Sequence, residues 1–341
     1  MTDKQWQDLL KVIEGEILSP LPAGFIIDSP WLPNWAGMTI LDYFSNDALW
    51  MEANLKALKK FPDILFFPGF WSEYGMCTEP SAFGARSNFP QNEFPHAHKV
   101  LGSASEIDDL IVPNPAIDGL LPFILNRLKL AQPIIEEEGH QIRFAVARGP
   151  LNIASFLMGS TEFLTTMMMD PDRAALLMQK ITKFLKDWLS LQMETFKTID
   201  GILLLDDIIG FVGEEEFKTF GLPYFKELYD FNVSVKFLHN DAPCEISAPY
   251  LPEIGINLFN MGFDTDLNAL KDKTGNRITM LGNIPPRDVL ASGTPADISQ
   301  SVRRLIDGLD DKSRILFSCG GGMPPGVSTE QINAFLEALR S

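Results

Sequence analysis

Three kinds of reactive side chain stand at the ends of short apolar runs in this sequence. His239 follows Ser234–Leu238, Asp206 and Asp207 follow Gly201–Leu205, and Cys319 follows Ile315–Phe317. Imidazole, carboxylate and thiolate are ligand types that zinc takes, and three protein ligands leave the open position a catalytic zinc needs. A further carboxylate would serve as a ligand or orient the imidazole. Other chemistry-bearing groups hold equivalent positions. Glu73, Tyr74, Met76, Cys77 and Glu79 follow Asp63–Phe67, while Arg148, Gly149, Pro150 and Asn152 follow Ile142–Ala147. Asn240 and Asp241 come directly after His239. Asn260 and Met261 follow Ile256–Phe259, Gly282 and Asn283 follow Ile278–Leu281, and Ser318 to Gly322 close the series.

Each group also has a plainer use. Polar residues at strand ends commonly satisfy the backbone of a turn, and a lone cysteine is commonly a small buried hydrophobe. The three glycines after Cys319 argue instead for a tight, exposed turn. Asp206 and Asp207 are consecutive on an extended segment, so they point to opposite faces; one enters the site and the other caps or pairs. His96 and His98 read as a surface loop, His140 lies at the far end of the fold, and Met167–Met169 is core filler. Cys77 and Cys244 read as structural, with Cys244 opening a helix over Pro243–Pro249 that would lower its thiol pKa.

The apolar runs that carry these residues read as strands. With Gly24–Ile27 as a weaker member they number eight, and runs apolar on both faces suit a parallel sheet buried on both sides. Helices are expected over Leu41–Lys60, Ile117–Glu138, Asp170–Phe196, Pro295–Gly308 and Ser328–Arg340, the third opening at Asp-Pro-Asp. An amphipathic helix starts the chain, with Trp6, Leu9, Leu10 and Ile13 on one face. The alternation predicts an α/β fold: one (β/α)8 barrel domain over residues 1–341 with an N-terminal helical extension. Active residues of such barrels stand just after the strands. No Gly-x-Gly-x-x-Gly follows an early strand, against a dinucleotide-binding sheet. Pro68–Leu101 is long, irregular and rich in Gly, Pro and Phe, the form of a lid or pocket wall.

Composition bounds the partners. The 341 residues include 45 acidic and 28 basic ones, a net charge of −17. That charge repels nucleic acid and anionic membrane surfaces. No apolar run reaches the ~18 residues that a membrane span requires, and the first residues lack a signal peptide's apolar core. Three cysteines are too few and odd for a disulfide framework, so a cytoplasmic location is expected.

Beyond these readings, the sequence resembles the uroporphyrinogen decarboxylase superfamily. The resemblance lies in LHNDAP, in Gly282–Pro286 (GNIPP), Gly293–Pro295 (GTP) and Gly321–Gly326 (GGMPPG), in LLLDDIIGFVGEEEFKTFGLPYFKELYD, and in TILDYFSNDALWMEANLKALKKFPDILF. It covers nearly the whole chain and implies a (β/α)8 barrel. It implies less about the reaction, because the superfamily divides. Its decarboxylases carry an arginine-rich N-terminal segment for a substrate with many carboxylates; here that segment is DSPWLPNWAGM, without arginine or lysine, so decarboxylation is disfavoured. Its cobamide-dependent methyltransferases use zinc held by a His-x-Cys pair and a distant cysteine, and work with a small corrinoid protein. His239 and Cys319 match the first and last ligands, and Asp241 stands at the middle one. A carboxylate in place of a thiolate makes zinc a stronger Lewis acid, favouring a polarised methyl donor. SEYGMCTEPSAFGA is similar to components that demethylate methyl ethers or methylamines.

The resemblance therefore implies a zinc-dependent methyltransferase passing a methyl group from a small methylated substrate, an aryl methyl ether, to the Co(I) corrinoid of a partner protein. In that reading His239, Asp241 and Cys319 bind Zn2+, and Asp206, Asp207, Glu73 and Glu79 form the catalytic set. Tyr74, Met76, Arg148, Asn152, Asn240 and Asn283 contact substrate or corrinoid, and Phe66, Phe67, Phe70, Trp71, Tyr74 and Phe83 supply a flat apolar pocket. Transfer from methyl-corrinoid to a thiol or pterin, decarboxylation, and a non-catalytic scaffold are the alternatives.

Overall fold

The computed structural model describes residues 1–340. Eight parallel strands form one curled sheet: β1 (Ala23–Ile26), β2 (Ile64–Phe67), β3 (Phe144–Arg148), β4 (Gly201–Leu205), β5 (Val235–Asn240), β6 (Leu258–Met261), β7 (Thr279–Ile284) and β8 (Ile315–Cys319). Their hydrogen-bonded order is β2-β1-β8-β7-β6-β5-β4-β3. The fold is thus the expected barrel with one difference: the ladder stays open between β2 and β3.

That seam is closed by side chains. Phe67 of β2 meets Phe144 of β3 edge to face, ring centroids 6.0 Å apart. The free edge of β3 is satisfied from outside the sheet. The Gln192 amide accepts from Val146 N at 3.0 Å and donates to Val146 O at 3.1 Å, and Glu79 Oε1 accepts from Arg148 N at 3.0 Å. Buried backbone polar groups need partners, and here they are supplied without a ninth strand.

Alternation along each strand sorts the two faces. Ile26, Leu65, Phe67, Phe144, Leu203, Val235, Phe237, Leu258, Leu281 and Leu316 fill the barrel interior. Their neighbours, among them Phe25, Phe66, Leu204, Leu238, Phe259 and Phe317, pack outward with the helices. The N-terminal helix α1 (Asp3–Glu14) begins at a Thr2/Gln5 capping box and ends at Gly15 with φ 101°. Its Trp6, Leu9 and Val12 join the interior cluster, with Trp6 5.5 Å from the Phe144 ring. The extension is therefore a plug in the N-terminal end of the barrel. The buried stripe is Trp6-Leu9-Val12; Leu10 and Ile13 are only partly buried against it.

Other elements shift from the expected bounds. Leu41–Lys60 is two helices, Ile40–Ser45 and Asp47–Lys60, because the Asn46 side chain caps the second at Ala48 N and Leu49 N. The expected Ile117–Glu138 helix starts at Leu121, with Pro122 in its first turn. Pro243–Pro249 is not a helix; only a short 3-10 turn, Ala248–Tyr250, forms there. Cys244 accordingly has no helix start to lower its pKa, and burial pushes its thiol up. Pro68–Leu101 holds a short helix, Thr78–Ala82, and a small hairpin pairing Ser87–Asn88 with His96–Ala97. Among the described residues no helix is long and apolar enough to cross a membrane.

Candidate active site

The inward positions at the C-terminal ends of the strands break the apolar rule of the interior. Continuing the alternation past Ile26, Val146, Leu205, Phe237, Leu258 and Leu281 gives Asp28, Arg148, Asp207, His239, Asn260 and Asn283. A polar layer thus lies on a hydrophobic floor. Several of the expected residues prove to be in the strands: Arg148, His239, Asn240, Asn283 and Cys319 all lie in the last two positions of a strand rather than after it.

His239 is the centre of this layer. It is buried, and its Nδ1 lies 2.7 Å from Asn260 Oδ1 on the neighbouring strand. Its Nε2 faces two carboxylates, Asp241 Oδ1 at 3.7 Å and Asp207 Oδ1 at 3.9 Å. The same Asp207 oxygen accepts from Asp241 N at 2.8 Å, which ties the two loops together. Burial opposes a charge on His239, but Asp241 and Asp207 outweigh it and raise the imidazole pKa above its ordinary value. Burial raises Asp241 as well, against the pull of His239. Both shifts favour holding protons in this pocket.

The glycines after Cys319 make room for this arrangement. Gly321 has φ 74°, and a Cβ there would collide with the Asp241 carboxylate. Gly320 N donates to Ile284 O and Gly321 N to Met261 O, both at 2.9 Å, so the turn folds back over the ends of β6 and β7.

Asp206 and Asp207 part company as their spacing requires. Asp206 faces outward and accepts from Leu151 N at 2.9 Å, at the start of helix α2 (Pro150–Met158). It is fully buried, and burial pushes its pKa up to about 8. Asn152 stitches the same corner: its Oδ1 accepts from Asp207 N and Ile208 N, and its Nδ2 donates to Leu205 O, each at 3.2 Å. Asn240 faces away from His239's side of β5, and its Oδ1 accepts from Ala242 N. Asn283 donates to Thr265 O at 2.7 Å and to Gly262 O at 3.2 Å, pinning the loop after β6.

Glu73, Glu79 and Arg148 form a second buried cluster at the seam. Arg148 donates to Glu73 Oε2 at 2.6 Å and lies 3.7 Å from Glu79 Oε2. Its guanidinium rests over Trp71, 5.5 Å from the ring centroid. Burial works against its charge, yet Glu73 and Glu79 hold it protonated. Tyr74 is half-buried, its hydroxyl 3.4 Å from Arg127, and Met76 is exposed. Of the aromatics expected to line a pocket, Phe70 and Trp71 line a small cavity beside Glu73, Glu79 and Arg148, while the others are held in ring packing. Phe67 contacts Phe144 and Phe237, Phe66 contacts Phe61 and Trp31, Phe83 contacts Phe184, and Phe70 contacts Trp50. Phe263, exposed beside Gly320, is an aromatic surface at the mouth.

Asp28 carries the signal that sequence reading passed over. Burial and the Glu73 charge push its carboxyl well above the usual range, and His239 and Arg148 pull it back. Its Oδ1 is buried without a hydrogen-bond partner. The alternation Gly24, Ile26, Asp28 on the weakest strand was the clue available.

The sequence matches the family described as Uroporphyrinogen decarboxylase (URO-D) over residues 8–341. The chain belongs to the uroporphyrinogen decarboxylase family. Among curated members, it is 24% identical over 275 residues to a uroporphyrinogen decarboxylase of Chloroherpeton thalassium, covering 76% of this chain and 75% of that one. It is 23% identical over 313 residues to the Salmonella dublin enzyme of the same name, covering 86% and 83%. Among solved structures, a methyltransferase from Methanosarcina mazei superposes with TM-score 0.82 at 17% identity over 98% of both chains. A B12-independent methionine synthase from Shewanella sp. W3-18-1 superposes with TM-score 0.56 at 11% identity over 94% of this chain and 96% of that one. These two similarities show the fold.

Within this family fold, His239 and Asp241 stand together, but the three expected zinc ligands are not gathered into one metal centre. Among the described residues no three His, Cys, Asp or Glu side chains are gathered to hold an ion. Cys319 belongs to the outward cluster with Phe317 and Met261, and its Sγ is held toward Gly321 O and Gly322 O. It is fully buried, and burial with the nearby Asp241 charge pushes the thiol up to about 12. To reach a metal beside His239 its Sγ would have to leave those two carbonyls.

Proposed function

We propose that this protein is a methyltransferase that takes a methyl group from a small donor, of the aryl methyl ether class, for the Co(I) corrinoid of a partner protein. One observation carries the reading: His239 stands at the end of a barrel strand, one nitrogen anchored by Asn260 and the other facing Asp207 and Asp241. The resemblance of fold to the Methanosarcina mazei methyltransferase supports it. When its partner presents it, the corrinoid supplies the nucleophile for the methyl carbon. Loss of a methyl leaves an electron pair on the donor heteroatom, and that atom needs a proton. His239, its pKa raised by two carboxylates, is the group able to give one from Nε2. Phe263 offers an aryl ring an exposed apolar surface.

Decarboxylation of a porphyrinogen is disfavoured on charge. The segment after β1 has no arginine or lysine, and Arg148 is already engaged by Glu73 and Glu79. A substrate with many carboxylates would meet Asp28, Asp207 and Asp241 instead. A second reading keeps zinc as an ion on His239, Asp241 and Cys319. The Nδ1 bond to Asn260 favours it, since metal-bound imidazoles are anchored this way; it requires Cys319 to leave the carbonyls that hold it.

The reading is tested by supplying the protein with a reduced corrinoid protein and a panel of methylated donors. Loss of the Co(I) absorbance with an aryl methyl ether, and recovery of the free phenol, is the expected result. Decarboxylation of a porphyrinogen with no turnover of any methyl donor would overturn it.

A further inference from the structure

Register alone places His239 opposite Asn260 on β6, and Asn260 opposite Leu281 on β7. All three are buried. Asn260 Nδ2 donates to Leu281 O at 2.7 Å. A carbonyl only accepts, so this bond turns the amide nitrogen toward β7 and the amide oxygen toward His239. An amide oxygen likewise only accepts, so the 2.7 Å contact requires the hydrogen to sit on His239 Nδ1. Nε2 is then the nitrogen left facing Asp207 and Asp241.

We infer that Asn260 is a positioning residue that holds His239 as its Nδ1–H form and so commits Nε2 to whatever binds between Asp207 and Asp241. Two neighbouring strands thus set the state of a ring on a third. Neutral His239 then presents a lone pair to the mouth, ready for a hydrogen-bond donor; protonated, it presents an N–H to the atom that needs one. The partner chemistry is that of an O–H or N–H group, or of the heteroatom from which a methyl has just left. The inference takes His239 as the reacting group from the proposed function, but the state of the ring is independent of it.

Nitrogen-15 NMR of the imidazoles decides the point. The protein has four histidines, and His239→Gln identifies the signal by subtraction. At ~pH 10, above the titration of an imidazole, the wild type should show a protonated Nδ1 and an unprotonated Nε2. Asn260→Ala should lose that preference, and Asn260→Asp, which keeps an acceptor opposite Nδ1, should restore it. In the methyl-transfer assay Asn260→Ala should lower kcat at least about tenfold with little change in donor KM, and Asn260→Asp should recover most of it. A wild type protonated at Nε2 overturns the inference, whether or not Asn260→Ala folds. So does a folded Asn260→Ala that keeps the wild-type ring state. If the ring behaves as expected but no donor is turned over, the proposed function fails and the positioning role of Asn260 stands.

Discussion

Asp206 and Asp207 are adjacent in sequence and opposite in circumstance. Asp207 lies at the mouth beside His239, whereas Asp206 is sealed behind the sheet against the start of α2. Its pKa near 8 against an ordinary value of 3.8 means that the folded protein holds a proton which the unfolded chain releases. A raised carboxyl pKa contributes stability that is full below about pH 3.8 and is lost as pH rises through about 8. Asp206→Asn removes the titration while keeping an oxygen for Leu151 N. Unfolding free energies measured at several pH values should therefore show the variant gaining on the wild type from pH 5 to 8.5, by on the order of a few kcal/mol. A difference independent of pH would show that Asp206 is ionised in the fold.

At the scale of elements, the open seam sets the test. Gln192 lies on helix α3 (Pro171–Thr195) and stands in for a strand at the edge of β3. Gln192→Ala leaves a part-buried N–H and C=O of Val146 without partners. The expected cost is about 1–3 kcal/mol in denaturant unfolding, above that of a Thr195→Ala control. Equal, small losses would mean that the seam is wet or repacks.

The seam also marks where sequence reading stopped. Eight apolar runs with helices between them announce a barrel, and all eight strands lie where those runs are. Which two strands fail to pair is a matter of side-chain packing between segments far apart in sequence, as with Phe67 and Phe144, and no local pattern carries it. The candidate site was legible to the same degree. Parity placed Asp207 and Asp206 on opposite faces, and Asp241 stands beside His239. Parity applied to Ile315–Phe317 would also have turned Cys319 outward, but the glycine turn after it suggested exposure. Within Phe66–Phe83, Phe70 and Trp71 line a cavity while Phe66, Phe67 and Phe83 pack; a ring that packs and a ring that lines have the same sequence.

For the whole molecule, the N-terminal plug, the acidic surface and the polar upper layer leave one end of the barrel for chemistry. Trp6, Leu9 and Val12 fill the opposite end. In the proposed function His239 drives methyl transfer at that mouth, and Cys319 stays a buried thiol that takes no part in it. The most direct test is a single-turnover assay of methyl transfer to a Co(I) corrinoid protein, with zinc content measured on the same samples, for wild type, His239→Ala and Cys319→Ala. His239→Ala should lose on the order of 10²–10⁴-fold in rate, the range for a general acid. Cys319→Ala should keep the wild-type rate within about tenfold, and its zinc content should equal that of the wild type. About one zinc per chain in the wild type, lost together with activity in both variants, would instead make His239 and Cys319 zinc ligands.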